Sequence, residues 1–192
     1  VELREERREL DTRATGFQIS HMPLDGAGTS FGPGGEQVSR KLMGSIGNTE
    51  FGDLSLHMQP NSWFHMLSDH AVVFTVLPLS PDKTFLRSTW LVHEDAVEGI
   101  DYDLAKLTDV WQQTNAQDSS LVNRAHIGIT SPAYTPGPYA PNEHQVNDFV
   151  AWYLSRLEAQ GRSIVRIATY DDESFDADAH HALAREAAAR PA

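Results

Sequence analysis

AVVFTVLPLSPDKTFLRSTWLVHE, residues 71–94, reads as a strand that runs out and another that runs back. Two runs rich in β-branched and aromatic residues flank Ser80-Pro81-Asp82-Lys83, which places proline and aspartate where a type I turn accepts them. The spacing predicts a β-hairpin. Upstream, FGDLSLHM (51–58) alternates, with Leu54, Leu56 and Met58 on one side and Asp53, Ser55 and His57 on the other. SWFHML (62–67) follows Pro60-Asn61, so consecutive antiparallel strands joined by short turns are expected over 51–94.

Beyond the hairpin the period changes. In DLAKLTDVWQQTNAQDSSLVNRA (103–125), Leu104, Leu107, Trp111, Thr114, Leu121, Val122 and Ala125 fall at helical spacing, and Asp101 or Asp103 can cap the start. TSPAYTPGPYAPNE (130–143) is too broken by proline for a helix or a central strand. A second amphipathic helix is expected over 143–158, with Val146, Phe149, Val150, Tyr153, Leu154 and Leu157 on one face and Gly161 ending it. Strands followed by a long helix give an α+β class: a curved antiparallel sheet packed on a helix, enclosing a pocket suited to a small ligand.

The flanks are less patterned. Residues 1–13 are dense in charge and read as a solvated helix, and Gly16 to Gly52 reads as glycine-rich loop with short extended pieces. SIVRIATY (163–170) is strand-like, and the Ala-rich acidic end reads as a peripheral helix or frayed tail. The expected division is a partial domain over 1–161 (lead-in 1–50, strands 51–94, helices 103–126 and 143–158) and a tail over 162–192.

Composition narrows the partners. The chain has 192 residues, 40% hydrophobic and 22% charged, as in an ordinary globular domain, and no run nears the roughly 18 apolar residues of a membrane span. A net charge of −12 argues against a nucleic-acid partner, which needs clustered Lys and Arg. There is no cysteine, so disulfides, thiolate nucleophiles and cysteine-ligated metal centres are excluded from this chain. Opening on Val1 fits a fragment or a processed chain equally.

One carboxylate stands out. At 100° per residue, Asp118 falls in the middle of the apolar stripe of the first helix, seven residues after Trp111 and four before Val122, whereas Asp109 points to the opposite side. A core-facing carboxylate costs several kcal/mol unless it is paired, protonated or bound to a metal. Spacing alone leaves three readings open: a bond to an Arg or to backbone amides, a helix that ends near Asn115 with Asp118 capping the next one, or a metal or catalytic role.

PLSPDKT (78–84), WLVHEDAVEGIDYD (90–103), the aspartate of WQQTNAQD (111–118) and SPAYTPGPY (131–139) before the helix carrying Trp152-Tyr153 resemble, in order and spacing, the C-terminal part of Rieske non-haem iron oxygenase large subunits. The resemblance is nearest the branch that demethylates glycine betaine and related quaternary ammonium compounds, and covers about residues 50–158. It implies that Asp118 completes a facial triad on a mononuclear Fe(II) with two histidines that this chain does not contain. It also implies a [2Fe–2S] Rieske cluster in a missing N-terminal part, NAD(P)H electrons through a separate reductase, O2 and a small organic substrate hydroxylated at an N-methyl group or an aromatic ring, a homotrimer, and a cytoplasmic location. The isolated chain is expected to be inactive.

This chain's own histidines are poor substitutes. His65 and His70 lie five apart, so on one strand they point to opposite faces, and they converge only if Ser68-Asp69 makes a turn. His57 and His93 read as plain polar-face positions, His126 as a helix-end histidine, and His180 and His181 as solvent-exposed. A quaternary ammonium has no proton to donate and is held by aromatic faces, which draws attention to Trp63, Phe64, Phe74, Trp90, Tyr134 and Tyr139. The expected substrate-binding set is Trp63, His65, Phe74, Trp90 and Tyr134, with Asp118 the metal ligand. Against the oxygenase reading stand a non-catalytic small-ligand module of the same shape and a segment that only packs within a larger assembly.

Overall fold

The computed structural model describes residues 16–24, 28–140 and 143–162, so the expected helix over 1–13, the strand-like run at 163–170 and the tail lie outside the described residues. Five strands, β1 (Phe17–Met22), β2 (Asp53–Met58), β3 (Ser62–Met66), β4 (Ala71–Ser80) and β5 (Lys83–Leu91), form one open sheet. Each pairs antiparallel with the next, so their order across the sheet is their order along the chain. Helices α1 (Leu104–Ile129) and α2 (His144–Ala159) follow. The α+β class expected from the pattern is what the chain adopts.

Local chemistry sets the turns. Ser80 pairs with Lys83 across the β4–β5 turn, and the Ser80 hydroxyl donates to Asp82 at 2.6 Å. Between β3 and β4 the Leu67 amide donates to the His70 carbonyl at 2.9 Å, which closes a tight turn through Ser68-Asp69. Asp103 caps α1 by accepting from the Lys106 amide at 3.0 Å. Asp101, the other capping candidate, instead accepts from the Val97 amide at 2.9 Å and pairs with Lys41 at 3.4 Å.

One expectation is sharpened and one open alternative is closed. The stretch read as irregular lead-in contains β1, which pairs along its whole length with β2. Its alternation, Phe17 and Ile19 against Gln18 and Ser20, is too short and too close to glycines to stand out from sequence. The helix does not end near Asn115: α1 is continuous over 26 residues, roughly 39 Å at 1.5 Å per residue. Asp118 therefore lies within a helix and caps nothing.

The buried set is small and unusually polar. Val38, Leu67, Ala71, Val72, Phe74 and Leu107 make its apolar part, alongside buried Gln18, Ser30, Ser39, Asp53, Ser68, Asp69, His70, Thr108 and Asn147. Polar groups are buried at this density only where they bond to one another or serve a site.

Candidate functional site

The register puts Gln18, Asp53, Ser55, His57, Trp63, His65, Val72, Phe74, Ser88 and Trp90 on one face of the sheet. That face is the one the helices cover. From α1, the Trp111 ring lies 4.7 Å from that of His65 and 4.9 Å from that of Phe74, and Asn115 donates to the Ser88 hydroxyl at 3.1 Å. From α2, Phe149 stacks on His57 at 6.3 Å, and the Gln145 carbonyl accepts from the Gln18 amide at 3.1 Å. The helices thus sit over the side of β2 that carries Asp53, Ser55 and His57, and not over its Leu54–Leu56–Met58 side. A sheet that turns its polar side inward has a polar task there.

Two aspartate–histidine pairs occupy this region. Asp69 and His70 are both essentially sealed from solvent, with Asp69 Oδ1 2.9 Å from His70 Nδ1 and 2.5 Å from the Ser30 hydroxyl that donates to it. Asp69 Oδ2 accepts the amides of Val38 at 2.7 Å and Ser39 at 3.0 Å. Burial works against ionisation of Asp69, but the bonds from His70, Ser30 and the Ser39 amide together hold its carboxyl below the ordinary value of 3.8. This pair ties the glycine-rich lead-in to the β3–β4 turn. In the second pair, His65 Nδ1 lies 2.8 Å from Asp53 Oδ2, but His65 remains 17% exposed while Asp53 is fully buried. Phe31 and Phe74 stand edge-on to the His65 ring at 6.0 and 6.2 Å.

Of the residues singled out from sequence, Trp63, His65 and Phe74 come together, Trp63 stacking on Phe74 at 5.5 Å, and Trp90 shares their face on β5. Tyr134 stands half-exposed on the loop after α1, with no ring contact to this group among the described residues. Phe31, Asp53 and Trp111 belong to the site and were not singled out. Ser68-Asp69 does turn the chain, yet His65 and His70 each take an aspartate of their own. His57 is not a plain polar-face position: it packs between Trp63 and Phe149, and burial lowers its pKa below 6.5.

Asp118 needs a correction of another kind. Its turn of α1 follows Leu107, Trp111 and Thr114, as the stripe demands, but Asp118 is exposed, as are Leu121 and Val122 beyond it. Asn115 donates to Ser88 on β5, and His126 farther along α1 lies within electrostatic reach of Asp82 in the β4–β5 turn, whereas Asp118, Leu121 and Val122 between them are exposed. The Asp118 carboxylate has no hydrogen bond or ion pair among the described residues and is available to a cation. Among those residues, no three His, Asp or Glu side chains are grouped to hold a metal.

Elsewhere, a cleft of 540 Å³ runs between Glu36–Arg40 and Gly99–Lys106. Its carboxylates are spoken for: Glu36 accepts from the Gly34 amide, Asp101 is held by Lys41 and the Val97 amide, and Asp103 caps the start of α1. No helix of the described residues is long and apolar enough to cross a membrane.

Comparison with known proteins agrees with this geometry. The family described as ring hydroxylating alpha subunit (catalytic domain) matches residues 4–159. The glycine betaine monooxygenase oxygenase subunit of Pseudomonas aeruginosa is 45% identical over 141 residues, which is 73% of this chain and 33% of that protein. The subunit of the same name from Chromohalobacter salexigens is 43% identical over 152 residues, 77% of this chain and 34% of that protein. This chain thus spans about a third of the length of these curated relatives. By the extent of the family match and the sheet-and-helix arrangement it covers, the chain belongs to the catalytic domain family of ring-hydroxylating alpha subunits.

Proposed function

We propose that this chain is the C-terminal part of the catalytic domain of a Rieske-type oxygenase that hydroxylates an N-methyl group of a small quaternary ammonium compound and so releases formaldehyde. The observation that carries the proposal is the aromatic and polar sheet face beneath α1, in a chain 45% identical over 141 residues to a glycine betaine monooxygenase subunit. Trp63 and Trp111, both only partly buried, offer ring surface that attracts a cation unable to donate a hydrogen bond, and the fully buried Phe74 packs between them. Asp118, farther along the same helix, supplies a carboxylate to a mononuclear Fe(II). When bound, that iron supplies O2 activation, with electrons from NAD(P)H arriving through a reductase and a [2Fe–2S] cluster outside this chain. Residues up to 161 are then the catalytic part, and a cytoplasmic homotrimer is the expected assembly.

The test is Asp118→Ala in the full-length protein, read as iron content by metal analysis and as formaldehyde released from glycine betaine. Loss of both is expected. Iron and turnover retained at the unmodified level would remove Asp118 from the metal and with it this reading of α1. Binding of the ammonium compound with no turnover in the unmodified, iron-loaded protein would identify a binding module instead.

A further inference from the structure

The two aspartate–histidine pairs use the same bond for different ends. His70 is 1% exposed and its partner carboxylate is saturated by Ser30, Val38 and Ser39, so that pair is an internal anchor. His65 is 17% exposed, and its Nε2 takes no hydrogen bond among the described residues. Asp53 behind it is fully buried, and its Oδ1 has no hydrogen-bond partner among the described residues. A buried carboxylate engaged through one oxygen only is costly where it serves stability alone. It holds the imidazole in one orientation and fixes which nitrogen faces outward.

We propose that Asp53 and His65 form a positioning dyad in which His65 Nε2 grips the carboxylate of a zwitterionic quaternary ammonium substrate. The proposal rests on the quaternary ammonium reading above and goes further by dividing the substrate between two parts of the face. A trimethylammonium group offers only methyl hydrogens, so ring faces attract it without fixing its rotation. The carboxylate is the one end that a directional bond can seize. With Nδ1–H given to Asp53, a proton on Nε2 donates to the substrate. The ring charge is then balanced by Asp53 on one side and the ligand on the other, and the Trp111 ring 4.7 Å away adds its own attraction for a cationic imidazole. Among the described residues, the rings against His65 are those of Phe31, Phe74 and Trp111, and the carboxylate bonded to it is that of Asp53.

The experiment compares two ligands by calorimetric titration of the full-length protein: glycine betaine, and trimethyl(propyl)ammonium, which lacks the carboxylate. His65→Phe keeps a ring against Trp111 and removes both nitrogens. It should weaken glycine betaine on the order of 30-fold, the size of one charge-assisted hydrogen bond. The propyl analogue should change less than about threefold, because its only attraction is to ring faces. His65→Gln restores a neutral donor and should recover part of the loss for glycine betaine alone, and it serves in place of His65→Phe if that variant does not fold. Equal losses for both ligands would make the ring a packing element only and overturn the proposal. Unchanged glycine betaine affinity in both variants overturns it while leaving the ammonium reading standing. An unmodified protein that takes up neither ligand overturns that reading and the dyad together.

Discussion

Removing the Asp69 carboxylate strands four donors in the protein interior: the Ser30 hydroxyl, the Val38 and Ser39 amides, and His70 Nδ1–H. The hydroxyl can rotate and the imidazole can change tautomer, so the two amides carry the unavoidable loss. At about 1–3 kcal/mol per buried unsatisfied donor, plus the space left behind, Asp69→Ala should cost about 4 kcal/mol. Asp69→Asn behaves differently. Its oxygen can face the two amides while its NH2 turns to Ser30 and His70, both able to accept, so only the charge assistance is lost, about 2 kcal/mol. Amide hydrogen exchange at Val38 and Ser39 reads this locally. Protection should fall by about three powers of ten in Asp69→Ala and roughly 30-fold in Asp69→Asn, at 1.4 kcal/mol per factor of ten. Wild-type exchange rates at both amides in Asp69→Ala would refute the account of Asp69 as the anchor of the lead-in. The pH dependence has a definite sign. The folded carboxyl lies below its ordinary value of 3.8, so the contribution is full above that pH and is lost as pH falls through the lowered value. The anchor should release only in strong acid.

Two other perturbations test the scaffold. Gly52 has φ +79 and an added Cβ would lie 2.5 Å from the Met22 carbonyl oxygen, so Gly52→Ala should cost about 2 kcal/mol and loosen β1 first, seen as faster exchange at Gln18 and Ser20. Gly52→Ala with unchanged β1 exchange would contradict that placement. His57 is kept below 6.5 by burial, so its neutral ring stabilises the fold fully above that pH and less as pH falls through the lowered value. The docking of α2, followed by exchange in its backbone amides from pH 7.5 to 5, should weaken on acidification, and His57→Phe should flatten the response. An equal response in His57→Phe would assign it to another group.

The fold was legible because its periods are clean. Alternation at Leu54–Met58, the Ser80–Lys83 turn and the helical run from Leu104 each obey a local rule, and local rules survive in the sequence. The site was legible only in part. Trp63, His65 and Phe74 could be named as residue types, but their convergence depends on the β2–β3–β4 register, which is a pairing between distant residues. The bond from His65 to Asp53 runs diagonally across two strands and leaves no mark at any fixed spacing. Parity alone does not say which side of a strand faces inward. It split β2 into apolar and polar sides, and the ordinary inference buries the apolar side, whereas here the helices cover the polar one. For Asp118, the direction of the side chain follows from helical geometry, but its burial depends on what lies over α1, and no single helix encodes that.

The strand order has a bearing on how the site is built in time. β2 to β5 follow one another through short loops, so that part of the sheet can zip up with little chain entropy lost at each step, whereas β1 must close the long segment 23–52 to reach β2. The helix that closes over the sheet is made afterwards. Until α1 docks, Asp53 and His65 stand in water and their meeting has little worth; when Trp111 closes over them, water leaves and the bond strengthens. On the dyad proposed above, the bond between Asp53 and His65 thus gains its strength from the docking of α1.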